Sequence, residues 1–191
     1  EVDRRMNDAK CDARGRLWGG SAFDDFRQGG GALHCWDGVT SRIVRRGLAL
    51  PNGLGWSPDH RTMYLVDSMQ KVVYHASFDL DAGEVGVFRA LFEVDSGLPD
   101  GLCVAGDGTI WVAVWGGAEI QQRAADGELL ARLPMPVSQP SSCALSDAGT
   151  LYITSARGGL APAALASEPL AGSVFATPFG LRPVPVAPFA L

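Results

Sequence analysis

Four oxygen-bearing side chains occupy equivalent positions in this sequence. Asn7, Asp100 and Ser141 each precede a strand aromatic residue by eleven positions, and Asn52 precedes Tyr64 by twelve because the intervening turn is one residue longer. Amide, carboxylate and hydroxyl oxygens are suitable ligands for hard divalent cations such as calcium and magnesium. If the surrounding segments are repeats of one structural unit, the shared register predicts a ring of oxygen ligands around an axis.

Turn formation is the simpler interpretation of the same residues. Pro-Asn-Gly, Pro-Asp-Gly and Pro-Ser are all favourable turn sequences, which accounts for each segment separately. It does not account for their common register. On the repeats alone, a cation-binding ring and a set of well-formed turns remain equally open.

The segments that carry these residues share one layout. A short apolar strand is followed by a turn built on Asp or Gly and by a second strand with an aromatic residue. These aromatic residues, Trp18, Tyr64, Trp111 and Tyr152, are separated by 46, 47 and 41 residues. A period of about 40 to 50 residues made of strands and turns indicates a β-propeller with one blade per repeat. The first strand of each blade lines the channel, so the residues in shared register are expected to face it.

Further strand signals complete the repeats. They are 32–36 and 42–44 in the first, 71–78 and 85–93 in the second, 119–123 and 129–133 in the third, and 172–176 in the fourth. An insertion at 158–171 reads as a loop with one helical turn. The sequence predicts an all-β propeller with about four blades, the fourth complete, in a single domain over residues 1–191.

The chain begins inside the repeat pattern. Its first residue is Glu1 rather than Met, and residues 1–6 read as the tail of an earlier blade. We therefore expect a larger ring whose N-terminal part is absent. The N-terminus cannot then be used to judge targeting.

Composition limits the possible partners. The formal net charge of −5 argues against nucleic acid, because phosphate binding requires a basic face. There is no apolar run of about 18 residues, which argues against a membrane span. The four cysteines lack C-x-x-C spacing, so we expect reduced thiols packed in the core. We further expect a cytoplasmic monomer.

Several other polar or aromatic residues are interpreted as structural. His34, His60 and His75 fall in third strands or turns, away from the predicted ring. Trp115 is expected to pack within its blade. Asp67 ends a strand and is expected to form an ion pair or cap a loop rather than to serve a site, because charged strand ends are usually solvated. The polar loop 21–28 is interpreted as a mobile surface connection rather than a cover over a site.

Eight motifs, taken in order, resemble one family. They are R-x-N-D-x-K at 5–10, D-x-x-G-R-L-W at 12–18, P-N-G-L-x-W-S-P-D at 51–59, Y-L-V-D-S at 64–68, G-L-P-D-G-L at 97–102, W-V-A-V-W-G-G at 111–117, P-S-S-C-A at 140–144 and L-Y-I-T-S-A-R at 151–157. The chain resembles the senescence marker protein, gluconolactonase and luciferin-regenerating enzyme family over essentially its whole length.

The resemblance implies a six-bladed propeller that hydrolyses sugar lactones with one divalent metal in its channel. Calcium is the first expectation, with zinc, magnesium and manganese as alternatives. By position, Asn52 and Asp100 match two metal ligands of the family, and Arg5 and Asn7 match residues that contact the substrate. The implied mechanism has the metal polarise the lactone carbonyl while Asp100 also takes a proton from the attacking water.

One departure from the family keeps a second hypothesis open. The family's third metal ligand is a Glu in the first blade, and this sequence contains no counterpart. The alternative is a non-catalytic propeller that binds a ligand or partner, or an inactive fragment. The sequence does not choose among gluconolactone, arabinolactone, xylonolactone and organophosphate-like esters.

Overall fold

The computed structural model describes residues 3–189, which form four antiparallel sheets arranged as propeller blades. Blade one contains β1 (Arg4–Cys11), β2 (Leu17–Phe23), β3 (Gly31–Trp36) and β4 (Ser41–Leu48). Blade two contains β5 (Pro51–Trp56), β6 (Thr62–Asp67), β7 (Val72–Asp79), β8 (Glu84–Val85) and β9 (Arg89–Glu93). Blade three contains β10 (Leu98–Val104), β11 (Ile110–Trp115), β12 (Glu119–Arg123) and β13 (Leu129–Pro134). Blade four contains β14 (Pro140–Leu145), β15 (Thr150–Ser155) and β16 (Val174–Pro178). The prediction of an all-β propeller with about four blades is confirmed.

The turn between the first two strands explains the Asp and Gly signals. Gly15, Gly108 and Gly149 occupy the same turn position in blades one, three and four, with φ of 79°, 89° and 77°. Glycine adopts this left-handed conformation without a steric penalty. His60 fills the position in the longer turn of blade two, with φ of 57°. The turn residues therefore mark the hairpins that set the repeat.

Three strand predictions were wrong in detail. Residues 4–6 belong to the inner strand β1 rather than to an earlier blade. The predicted strand 85–93 is divided into β8 and β9 around Gly86, whose N–H donates to the Ser77 carbonyl at 2.9 Å. Blade four has three strands within residues 3–189, so it is not complete.

The segment after β16 runs towards blade three instead of adding a strand to blade four. The Val184 N–H donates to the Val104 carbonyl at 3.2 Å, and Pro183 forms an isolated bridge with Ala105. Proline lacks the amide donor that a regular strand requires, which explains why this proline-rich segment pairs at one point only.

The core consists of three apolar clusters, one at each junction between successive blades. Trp18 of blade one packs with Trp56 and Phe78 of blade two, at ring-centroid distances of 6.3 Å and 5.5 Å. Tyr64 and Trp111 occupy the equivalent places in the next two junctions. Tyr152 is 46% exposed, because within residues 3–189 no further blade covers its face of blade four. The aromatic repeat is thus an inter-blade packing signal.

The inner strands approach one another closely at glycines. A Cβ added to Gly53 would lie 2.5 Å from the Leu102 nitrogen and 2.6 Å from the Asp100 carbonyl oxygen. Real Cβ atoms do not approach backbone atoms so closely, so a side chain at this position would force β5 and β10 apart. The glycines of the Pro-Asn-Gly and Pro-Asp-Gly motifs are therefore packing residues.

The predicted helical turn in the insertion is also confirmed. It is α1 (Pro162–Ser167), which has Pro in its first turn. No helix within residues 3–189 has the length and apolar character needed to cross a membrane.

Candidate functional site

The residues in shared register lie at β-bulges. In each blade, the pairing of the inner strand with the second strand skips residues at the same place. The skips fall between Met6 and Ala9, Pro51 and Leu54, Pro99 and Leu102, and Pro140 and Ser142. A bulge frees residues from the regular pleat and redirects their side chains. The repeated sequence position therefore corresponds to a repeated backbone irregularity in the inner strands.

Four predicted site residues border one cavity of about 330 Å³. These are Arg5, Asn7, Asn52 and Asp100, and the cavity is completed by Phe26, Leu50, Ser68, Met69, Leu98 and Trp115. The structure thus brings together every residue that the sequence assigned to metal or substrate. None of the three histidines lines this cavity.

Ser141 does not join the other three residues of the shared register. It lies outside the cavity, and its hydroxyl forms a hydrogen bond with the Thr154 hydroxyl at 2.8 Å. The predicted ring of four oxygen-bearing residues is therefore reduced to Asn7, Asn52 and Asp100.

A chain of hydrogen bonds orients the amides of the cavity. Asn7 Nδ2 donates to Asn52 Oδ1 at 3.1 Å, and Asn52 Nδ2 donates to the Ser68 hydroxyl at 3.0 Å. The Arg5 guanidinium donates to Asn7 Oδ1 and also pairs with Asp24 at 3.2 Å. These contacts link blade one to blade two beside the cavity and orient Arg5 in its lining.

The charge of one acidic side chain, Asp8, affects the pKa of another, Asp100. Burial raises the pKa of Asp100 to about 7, the negative charge of Asp8 adds to the rise, and the Gly101 N–H opposes it. Burial also raises the pKa of Asp8, against the opposing effects of Lys10 and the Ala9 N–H. Among residues 3–189, Asp100 forms no ion pair with a cationic side chain. A half-buried carboxyl group of this kind favours a cation in the cavity.

Asp8 is the acidic residue that sequence reasoning missed. It follows Asn7 at the position where blades two and three have Gly53 and Gly101. Its effect on Asp100 depends on how the inner strands of separate blades are placed. The sequence signal was a charged residue in a repeat position that holds Gly53, Gly101 and Ser142 in the other three blades.

Two structural interpretations were incomplete. Trp115 lines the cavity, a role beyond blade packing. Asp67 caps a loop, one of the two roles expected for it, but it is fully buried: its carboxylate accepts hydrogen bonds from the Ala49 and Leu50 N–H groups at 2.8 Å and 3.1 Å. Asp67 therefore fixes the loop that leads into β5 and the cavity.

The loop after β2 also contributes to the site. Asp24 holds Arg5, and Phe26 lines the cavity with its backbone at φ of 50°. The prediction of a mere surface connection was incomplete, because this loop forms one wall of the cavity.

The oxygen atoms at this cavity are suited to a hard cation. The described range 3–189 contains no group of three or more His, Cys, Asp or Glu side chains that could hold a metal ion. The available donors are the Asp100 carboxylate and the Asn52 amide oxygen, with the Asp8 charge nearby. Such a donor set fits calcium or magnesium with water in the remaining positions.

The raised pKa of Asp100 predicts a pH-dependent stability of the metal-free protein. A carboxyl group whose pKa moves from 3.8 to about 7 on folding holds its proton more tightly in the folded state. Its stabilising contribution is complete below pH 4 and is lost as the pH rises to 7. At about 1.4 kcal/mol per pKa unit, the loss is at most about 4 kcal/mol.

Urea unfolding of the wild type and of Asp100→Asn, both in chelator, measures this effect. The variant should match the wild type at pH 4 and be the more stable of the two at pH 8. A variant that is destabilised equally at both values would contradict the pKa assignment.

The fold and the cavity define a β-propeller whose inner strands place Asn7, Asn52 and Asp100 at one cavity. The chain belongs to the SMP-30/Gluconolactonase/LRE-like family, whose model matches residues 1–157. It is 32% identical to regucalcin of Gallus gallus over 203 residues, covering 100% of this chain and 68% of the relative. It is 36% identical to L-arabinolactonase of Azospirillum brasilense over 182 residues, covering 92% of this chain and 60% of that enzyme.

A solved structure of a regucalcin also resembles this chain. Regucalcin from Agrobacterium tumefaciens, described as a calcium-binding protein, superposes with a TM-score of 0.93 at 26% identity. The superposition covers 98% of this chain and 65% of the solved one. This chain thus spans about two-thirds of the length of the relatives that it matches.

Proposed function

We propose that this protein hydrolyses sugar lactones at the cavity formed by Arg5, Asn7, Asn52 and Asp100. The observation that carries the proposal is that inner-strand bulges and the loop after β2 bring these four side chains to a single cavity. The proposal is supported by membership of a family that includes gluconolactonase and by the similarity to L-arabinolactonase.

The proposed cofactor is one divalent cation, with calcium as the first candidate. Asp100 would hold it with a carboxylate oxygen and Asn52 with its amide oxygen, while Asp8 adds negative charge. When bound, the cation supplies Lewis-acid polarisation of the lactone carbonyl. The calcium-binding description of the Agrobacterium relative supports the choice of ion.

Asp100 is the proposed general base. Its carboxylate lines the cavity, and a cation bound beside it would keep it ionised and able to accept a proton from water. The carboxylate has two oxygen atoms, so one can face the cation and the other the attacking water. No side-chain nucleophile is required, because water attacks the carbonyl carbon directly.

Arg5 and Asn7 are the proposed binding residues for the hydroxyl groups of the lactone. The Arg5 guanidinium retains free donor positions beyond those used by Asn7 and Asp24, and its planar shape suits oxygen acceptors. Trp115 and Phe26 offer aromatic faces for the C–H surface of the ring. The cavity of about 330 Å³ is large enough to admit a small ligand such as a monosaccharide lactone.

A panel of aldonolactones tests this function. Acid release from gluconolactone, arabinolactone and xylonolactone should exceed spontaneous hydrolysis for at least one of them when calcium, zinc, magnesium or manganese is present. Chelator should remove the excess. If the cooperatively folded chain accelerates none of them with any cation, the non-catalytic alternative is favoured.

A further inference from the structure

Two cysteines that have no part in the proposed lactone chemistry face each other between blades three and four. Cys103 lies on β10 and Cys143 on β14, and their sulfur atoms are 3.7 Å apart. Both side chains are buried, at 7% and 4% exposure, and both are free thiols. A disulfide requires about 2.05 Å between sulfurs, so the two sulfur atoms would have to approach each other by about 1.6 Å.

The two thiols differ in access and in electrostatic environment. Cys103 lines a second cavity of about 160 Å³, which Lys10 also borders, whereas Cys143 is not part of its wall. The hydrogen bond with Cys143 lowers the pKa of the Cys103 thiol, burial opposes this effect, and the Lys10 charge adds to it. The same hydrogen bond and burial raise the pKa of Cys143, and the Lys10 charge acts against them. Because Cys103 borders the cavity and Cys143 does not, Cys103 is the thiol that a small oxidant can reach.

We propose that Cys103 and Cys143 form a reversible disulfide when the protein meets a hydroperoxide, with Cys103 attacking and Cys143 resolving. The Cys103 thiolate attacks one peroxide oxygen, the O–O bond breaks, and the leaving hydroxide takes a proton to become water (or an alcohol for an organic peroxide). Cys103 is then a sulfenic acid. The Cys143 sulfur attacks the Cys103 sulfur, the S–O bond breaks, and the hydroxide leaves as water with the Cys143 proton.

The bond would join the inner strands of two blades. Cys103 lies three residues after Asp100 on the same strand, so the disulfide would tie the strand that carries the site to blade four. Cross-linking of segments distant in sequence stabilises a fold by restricting its unfolded chain.

Hydrogen peroxide treatment followed by alkylation in denaturant and mass spectrometry tests the proposal. The expected result is the loss of two of the four thiols, a mass lower by two hydrogen atoms, and a linked peptide pair containing Cys103 and Cys143. Dithiothreitol should reverse all three changes. The melting temperature of the oxidised protein should rise by roughly 5–10 °C.

Matched variants distinguish this pair from general thiol oxidation. In Cys143→Ala, Cys103 should stop at the sulfenic acid, which dimedone traps. Cys35 is as buried as Cys143, at 3% exposure, and makes no thiol contact in residues 3–189, so Cys35→Ala should retain the linkage. If Cys103 and Cys143 of the wild type are recovered unlinked at peroxide doses that oxidise Cys11, the proposal is wrong.

Discussion

Replacement of Asp100 by Asn should lower kcat/KM for lactone hydrolysis by about 10³-fold, the range expected for loss of a general base. The amide retains the shape of the side chain but cannot accept a proton from water, and it removes the one carboxylate that lines the cavity. Both roles proposed for Asp100 are therefore lost together. Initial rates of acid release with a fixed lactone and saturating calcium give the ratio.

Asp147→Asn is the matched control. Asp147 is an exposed residue in the hairpin turn between β14 and β15, so the same chemical change there should leave kcat/KM unchanged. Asp100→Asn must also unfold cooperatively. If a folded Asp100→Asn variant keeps more than a tenth of the wild-type kcat/KM, Asp100 is not the base.

Replacement of Gly53 by Ala should lower the free energy of unfolding by about 3 kcal/mol, at the upper end of overpacking effects. The new methyl group would meet the backbone of Leu102 and Asp100, and backbone atoms cannot rotate away as a side chain can. The inner strands of blades two and three would separate, which would also move Asp100. Urea denaturation measures the change, and the assay above measures its effect on activity.

Gly158→Ala provides the control for Gly53→Ala. A Cβ at Gly158 would meet no atom within 4 Å, and its backbone does not require glycine. Its free energy of unfolding should therefore stay within about 0.5 kcal/mol of the wild type. If the two variants have equal free energies of unfolding, Gly53 is not required for the close approach of β5 and β10.

The sequence was sufficient for the features that depend on local repetition. Gly15, Gly108 and Gly149 mark the same turn, and Trp18, Tyr64 and Trp111 fill the same inter-blade position. The shared position of Asn52 and Asp100 also follows from the repeat, because each blade has its bulge at the same register. Such features recur in the sequence because each blade forms the same hairpin turn and packs against the next blade through the same position.

Features that depend on contacts between different repeats could not be predicted from the sequence. The influence of Asp8 on Asp100 depends on the spacing between blades one and three, and the Arg5–Asp24 pair depends on the path of a loop. Ser141 shares the register but lies away from the cavity, since register fixes the backbone position and not the distance to the other blades. Blade four has three strands within residues 3–189, because the segment after β16 pairs with Val104 and Ala105 of blade three and not with blade four.

A thermal melt with and without calcium tests the central claim, which is that Asp100 and Asn52 form a cation site at the inner strands. A ligand that binds only the folded state raises its stability, by about 2.7 kcal/mol at a hundredfold excess over Kd. The claim predicts that millimolar calcium raises the melting temperature of the chelator-treated wild type by roughly 5–10 °C and leaves that of Asp100→Asn unchanged. No rise in the wild type, or an equal rise in Asp100→Asn, would contradict it.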